Sequence, residues 1–155
     1  VNPALLSRAI QLALENVRNG HGGPFGAVVA KDGKVIAEGV NLVIPRLDPT
    51  AHAEVVAIRN ACQALAAFHI PGCEIYASCE PCPMCLGAIY WAHVDRVYFA
   101  ATKEQAAEAK FDDSFIYRQI PLSPEARSIP MIRVPSGDAD LPFREWTANP
   151  KRVRY

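Results

Sequence analysis

The sequence predicts an α/β fold in three layers, with a central mixed five-stranded sheet flanked by helices. Five short segments, 25–30, 34–40, 74–78, 94–100 and 129–134, read as strands. The first two are joined by Asp32-Gly33, a strong hairpin signal. After that hairpin, helical and extended segments alternate, which places helices against one sheet.

The elements follow in order. Asn2-Pro3 is a helix start, with asparagine as the cap and proline at the first helical position. Leu6, Ile10, Ala13, Leu14 and Val17 recur at helical spacing up to a stop at Asn19-Gly20. Residues 20–26 form a glycine-rich turn that lacks the Lys-Ser/Thr ending of a phosphate loop and opens no helix. The hairpin comes next, then a loop with Pro45 and Pro49. A helix over about 51–67 follows, its expected core face carrying Val55, Ile58, Cys62 and Leu65. The strand at 74–78 runs directly into a helix at about 82–92, and a strong strand occupies 94–100. A helix over 102–109 has Thr102 as its cap. A polar-aromatic segment lies at 111–119, the fifth strand at 129–134, the last helix at 138–149, and a basic tail at 150–155. No repeats, linkers or low-complexity tracts interrupt the chain, so its 155 residues are expected to form a single domain with an adequate core.

Composition narrows the function. Half the residues are hydrophobic and the formal net charge is zero, an ordinary globular balance. Such a chain has no global attraction for nucleic acid or anionic membrane. No basic segment followed by an apolar one suggests a leader, and no apolar run is long enough to cross a bilayer. Five cysteines without an export signal read as reduced thiols of a cytoplasmic protein rather than a disulfide framework. The chain begins at Val1 rather than Met, as a chain does when a residue or tag is missing from its N-terminus.

The chemistry gathers in two stretches, Thr50-Ala51-His52-Ala53-Glu54 and Ser78-Cys79-Glu80-Pro81-Cys82-Pro83-Met84-Cys85. Cys82 and Cys85 fall on one face of a helical turn, at a helix N-terminus that favours thiolate, the form that binds metal. A lone Cys-x-x-Cys is shared by redox dithiols, structural zinc and catalytic zinc. Adding His52 makes a three-ligand zinc set with the fourth tetrahedral position left for water. His52 and Glu54 stand two apart, so they converge only on something beyond the helix N-terminus, near its axis. Two helix starts aimed at one metal satisfy that geometry. Glu54 is then an acid/base beside the metal rather than a ligand. Structural sites fill the fourth position, and Cys79 is the obvious candidate to close it, but its place at a strand end predicts that it points away. The order His-x-Glu followed by Pro-Cys-x-x-Cys is that of zinc deaminases.

On these residues the chain resembles the cytidine-deaminase-like superfamily in its purine-acting branch, and within it the bacterial guanine deaminases of the zinc type. The matching stretches are 22–28, 48–54, 78–92 and 111–117, and the last of them, Phe-Asp-Asp-Ser-Phe-Ile-Tyr, is the narrowest. The resemblance implies zinc-dependent hydrolysis of guanine to xanthine and ammonia in purine salvage or catabolism, with one zinc per chain. It implies His52, Cys82 and Cys85 as ligands and Glu54 as the proton shuttle. Asp113 matches an aspartate that moves a proton at the leaving amino group. Asn41 and the backbone of Ala53 match purine contacts, and Phe25, Trp91 and Phe111 match pocket walls. Tyr155 matches a tyrosine that closes the pocket from the partner subunit of a domain-swapped homodimer. Segment 136–155 would be the exchanged helix and tail. The chain departs from this pattern across 121–135 and in the last helix.

The residues alone permit plainer readings. Asp112-Asp113 before Ser114 is a natural helix cap, and Asn41 a natural strand-end residue. Phe25, Trp91 and Phe111 are ordinary core types. His21, His69 and His93 read as structural or exposed, Cys62 and Cys73 as small buried hydrophobes, and the basic tail as a frayed end. Among functions, guanosine or another aminated ring rivals guanine as substrate. A tRNA adenosine deaminase shares both zinc motifs but is expected to carry a basic surface for its RNA. A structural-zinc module leaves Glu54 without a role.

Overall fold

The computed structural model describes the whole chain, Val1–Tyr155. Its internal contacts divide it into two compact units, Val1–Ser114 and Phe115–Tyr155.

The first unit is built on a four-stranded mixed sheet in the order β2-β1-β3-β4. Helix α1 (Pro3–Arg18) starts at Asn2, whose side chain accepts from the Ala4 amide. Strands β1 (Gly26–Lys31) and β2 (Lys34–Val40) form the antiparallel hairpin. Asp32 and Gly33 both have positive φ, 50° and 75°, the turn geometry that matches the strands' own twist. A single turn, α2 (Val43–Arg46), occupies part of the expected loop. Helix α3 (Ala53–Ala64) leads to β3 (Cys73–Cys79), which pairs antiparallel with β1. Helix α4 (Pro83–Trp91) then carries the chain over to β4 (Arg96–Ala101), which lies parallel to β3. Helix α5 (Lys103–Glu108) opens with a reciprocal capping box between Thr102 and Gln105.

Strand alternation sorts the core into two faces. Val28, Ala30 and Tyr76 point to one side and pack with Leu5, Ala9 and Leu12 of α1. Ala27, Val29, Ile75 and Ala77 point to the other and pack with Ala53, Ala57 and Ala61 of α3 and Ile89 of α4. The expected layering of helices on both sides of a mixed sheet is therefore present.

The helix faces differ from expectation. On α1 the buried residues are Leu5, Ala9, Leu12, Ala13 and Asn16, while Ile10, Leu14 and Val17 are exposed. On α3 they are Ala53, Glu54, Val56, Ala57, Ile58 and Ala61, and Leu65 is exposed. The cause is a pair of close backbone crossings. A Cβ on Gly26 would meet the backbone of Ala9 and Ala13, and one on Gly39 the backbone of Ala53 and Ala57, all under 3.0 Å. Each helix lies down on a strand glycine along its alanines, so its larger side chains flank the contact line.

The second unit contains α6 (Ser114–Gln119), which begins at the boundary, a short 3-10 turn at Pro124–Ala126, and α7 (Leu141–Ala148). The expected fifth strand at 129–134 is absent. Pro130 removes a ladder donor there, and Ile129, Ile132 and Val134 are all strongly exposed, so neither face is buried to fix a register. The sheet has four strands rather than five. No helix is long and apolar enough to cross a membrane.

Candidate metal centre and active site

Two helices begin at the same place with the same backbone geometry. His52 is the N-cap of α3 at φ −69°, ψ 156°, and Cys82 the N-cap of α4 at φ −66°, ψ 168°. Neither side chain caps its own helix. Both turn outward instead, and Cys85, in the first turn of α4, joins them. The Nδ1 of His52 lies 3.5 Å from the sulfurs of both Cys82 and Cys85. All three donor atoms fall within 4.8 Å of one another. Zinc bonded tetrahedrally at about 2.3 Å to sulfur and about 2.0 Å to nitrogen needs sulfur and nitrogen about 3.6 Å apart. The donor set and its spacing fit zinc.

The electrostatics agree with a metal-binding role. Cys82 is pushed down to about 4, chiefly by the hydrogen bond from the Cys85 thiol and then by His52. Cys85 is pushed up, first because it donates to Cys82 and then by burial. The shared hydrogen bond favours negative charge on Cys82 over Cys85, and a bound dication would favour thiolate at both sulfurs. His52 is raised by its hydrogen bond to Cys82.

Cys79 takes no part. Its thiol donates to the Thr102 carbonyl at 3.6 Å, and burial pushes its pKa up to about 11. It therefore stays a protonated thiol at the strand end, as its position predicts, and the protein ligand set remains at three.

Glu54 is 7 % exposed, a rare position for a carboxylate without a partner ion. It lies in the first turn of α3, and its Oε2 is 3.5 Å from the Cys85 sulfur. Burial is the main cause that raises its pKa. A carboxylate next to a metal triad, easily protonated and shielded from solvent, is suited to proton transfer.

The other expected site residues divide. Phe25 and Phe111 meet edge to face, with ring centroids 5.0 Å apart. Ala53 is fully buried at the start of α3, and Asn41 is 7 % exposed at the end of β2. The amide of Val43 donates to Asn41 Oδ1 at 3.3 Å. Asp112, not Asp113, accepts from the Ser114 amide, at 2.9 Å. The turn before α6 thus uses the first aspartate. Asp113 is half-buried, and its pKa is raised by desolvation and then by the charge on Cys82. Trp91 is 68 % exposed at the last residue of α4, while Cys82 caps the first. The length of the helix puts about 13 Å between them, so Trp91 is not brought to this cluster. Tyr155 belongs to the second unit, where it makes an edge contact with Trp146 at 6.2 Å.

Two further buried polar residues, Ser78 at the head of the cysteine stretch and Asn16 outside every motif, join separate elements. Ser78 Oγ accepts from the Gly26 amide at 3.0 Å and ties the end of β3 to the start of β1. Asn16 donates from one side-chain nitrogen to the carbonyls of Gly23 and Asn41, at 2.9 and 3.0 Å. A buried asparagine on a helix face lined with Leu and Ala is the signal that could have revealed it.

Comparison with known proteins places this geometry. The description "cytidine and deoxycytidylate deaminase zinc-binding region" matches residues 2–101. The chain is 56 % identical over 150 residues to a guanine deaminase of Bacillus subtilis, covering 97 % of this chain and 96 % of that protein. It is 42 % identical over 78 residues to a tRNA-specific adenosine deaminase of Aquifex aeolicus, about half of each chain. Among solved structures, the guanine deaminase from Bacillus subtilis superposes with a TM-score of 0.98 at 52 % identity, covering 100 % of this chain and 99 % of that one. With the His52, Cys82 and Cys85 triad set at two helix starts, these matches show that the chain belongs to the cytidine and deoxycytidylate deaminase zinc-binding family.

Proposed function

We propose that the protein hydrolyses guanine to xanthine and ammonia, as a zinc enzyme of purine salvage or catabolism. The observation that carries the substrate is the extent of similarity. The guanine deaminase matches through 97 % of the chain, and so through Phe111-Asp112-Asp113, whereas the tRNA deaminase matches half. The neutral net charge supports a small substrate over an RNA.

Zinc held by His52, Cys82 and Cys85 supplies Lewis acidity that makes a water proton easy to remove near neutral pH. Glu54 takes that proton as the water oxygen attacks the ring carbon bearing the amino group, and returns it to the substrate. The added hydroxyl then gives up its own proton, which Asp113 passes to the departing amine, so the C–N bond breaks as the carbonyl forms and ammonia leaves. The Asn41 carboxamide and the Ala53 backbone hold the purine edge, and Phe25 and Phe111 wall the ring.

The protein acts as a cytoplasmic homodimer in this reading, with segment 136–155 exchanged and Tyr155 closing the pocket. Support comes from the family resemblance, from five free cysteines, and from exposed Leu86, Tyr90 and Trp91 on α4, an apolar surface of the kind that subunits cover. The test is ammonia release from guanine, guanosine, cytosine, adenosine and a tRNA anticodon stem-loop. Turnover of guanine above the rest is expected. Turnover of the stem-loop alone overturns the reading, and a preference for guanosine corrects the substrate.

A further inference from the structure

Asn16 lies 3 % exposed on the inner face of α1, outside every motif that carries the chemistry. Its side-chain nitrogen divides both protons between two backbone carbonyls that are distant in sequence. One is Gly23, in the turn before β1, and the other is Asn41, at the end of β2. The same two points are joined a second way. The Phe25 amide donates to the Gly23 carbonyl at 2.9 Å, and the Asn41 amide donates to the Phe25 carbonyl at 3.1 Å. Asn16, Gly23, Phe25 and Asn41 therefore close a ring of four hydrogen bonds.

The ring is tightly fitted. A Cβ on Gly22 would meet the Asn41 carbonyl oxygen under 3.0 Å, so only glycine lets the turn approach the strand end this closely. Beyond the ring, the Leu42 amide donates to the Ala51 carbonyl at 2.9 Å, which ties the strand end to the residue before His52. Two residues of this ring are the proposed substrate contacts: Phe25, whose side chain meets Phe111, and Asn41, whose carboxamide oxygen accepts from the Val43 amide.

We infer that Asn16 is a positioning residue for substrate: it sets the spacing between the Phe25 ring and the Asn41 carboxamide, and so how tightly the purine is held. This rests on the guanine deaminase reading. Removing Asn16 takes this donor from the buried Asn41 carbonyl and leaves the Gly23 carbonyl with the Phe25 amide alone, so the tie from α1 to the strand end is lost. The metal triad does not touch the ring, so the effect falls on substrate binding and leaves zinc in place.

The test is steady-state kinetics on guanine with zinc content measured on each protein. In Asn16→Ala, KM rises about tenfold while kcat changes less than about threefold, the pattern of lost uniform binding. Zinc remains one per chain. In the double variant with Asn41→Ala, the Asn16→Ala effect on KM shrinks toward none, because Asn16 acts through a group already removed. Asn16→Ser gives the same readout if the alanine variant does not fold. An unchanged KM overturns the inference, as does full additivity with Asn41→Ala. Failure of both Asn16 variants to fold with zinc bound also overturns it, in favour of a structural role. Wild-type turnover in the same assay separates the two claims. No wild-type turnover of guanine refutes the enzyme reading, whereas turnover with an insensitive KM refutes the positioning role alone.

Discussion

Apart from the single turn α2, the helices that lie wholly in the first unit begin in two ways. α1 and α5 close their first turns with their own side chains, Asn2 in one and the Thr102 and Gln105 box in the other. α3 and α4 do not. His52 and Cys82 occupy the cap positions in extended conformation and make no side-chain hydrogen bond to the helix. A cap is typically worth about 1 kcal/mol, so each helix forgoes that stabilisation at its start. What they gain is a pair of helix N-termini whose first residues meet in one cluster, with positive partial charge that favours thiolate at Cys82. The difference separates helix starts that serve the fold from helix starts that serve the chemistry.

Substitutions at each kind of start sharpen that contrast. Cys82→Ser removes one ligand, and zinc is expected to fall from one per chain toward zero with loss of turnover, by metal analysis and ammonia release. Retained zinc and activity would show that the two helix starts do not share a metal. Gly39→Ala attacks the packing that sets α3 in place. Its Cβ meets the backbone of Ala53 and Ala57, so a loss of about 1–3 kcal/mol is expected in denaturant unfolding. Activity should fall with it, since His52 and Glu54 ride on the displaced helix. Asn2→Ala is the smallest change, about 1 kcal/mol of stability from the lost cap with turnover per zinc unaltered.

The same contrast explains what the amino-acid sequence revealed. Helix existence, the Asp32-Gly33 hairpin and the Thr102 cap were legible because each depends on local signals that the structure repeats. The metal triad was legible because residue type and spacing leave few alternatives. The inner faces of α1 and α3 were not. Periodicity favours the bulkiest stripe, and the contact line follows alanines pressed on Gly26 and Gly39, a choice made by strands far away in sequence. The fifth strand failed for the opposite reason. Its β-branched residues satisfied a local preference, but Pro130 and two exposed faces gave it nothing to pair with or pack on. Asn16 was invisible because its two partners, Gly23 and Asn41, are brought together only by the closed hairpin. Of the paired aspartates before Ser114, Asp112 is the one that accepts from the Ser114 amide.

The most direct test of the account is zinc content and guanine turnover in Glu54→Gln. The substitution keeps the volume and a hydrogen-bonding group on α3, leaves the three ligands intact, and removes the buried base. Zinc should stay at one per chain while kcat falls about 10²–10⁴-fold, the usual contribution of a positioned acid/base. Wild-type turnover in this variant would contradict the account.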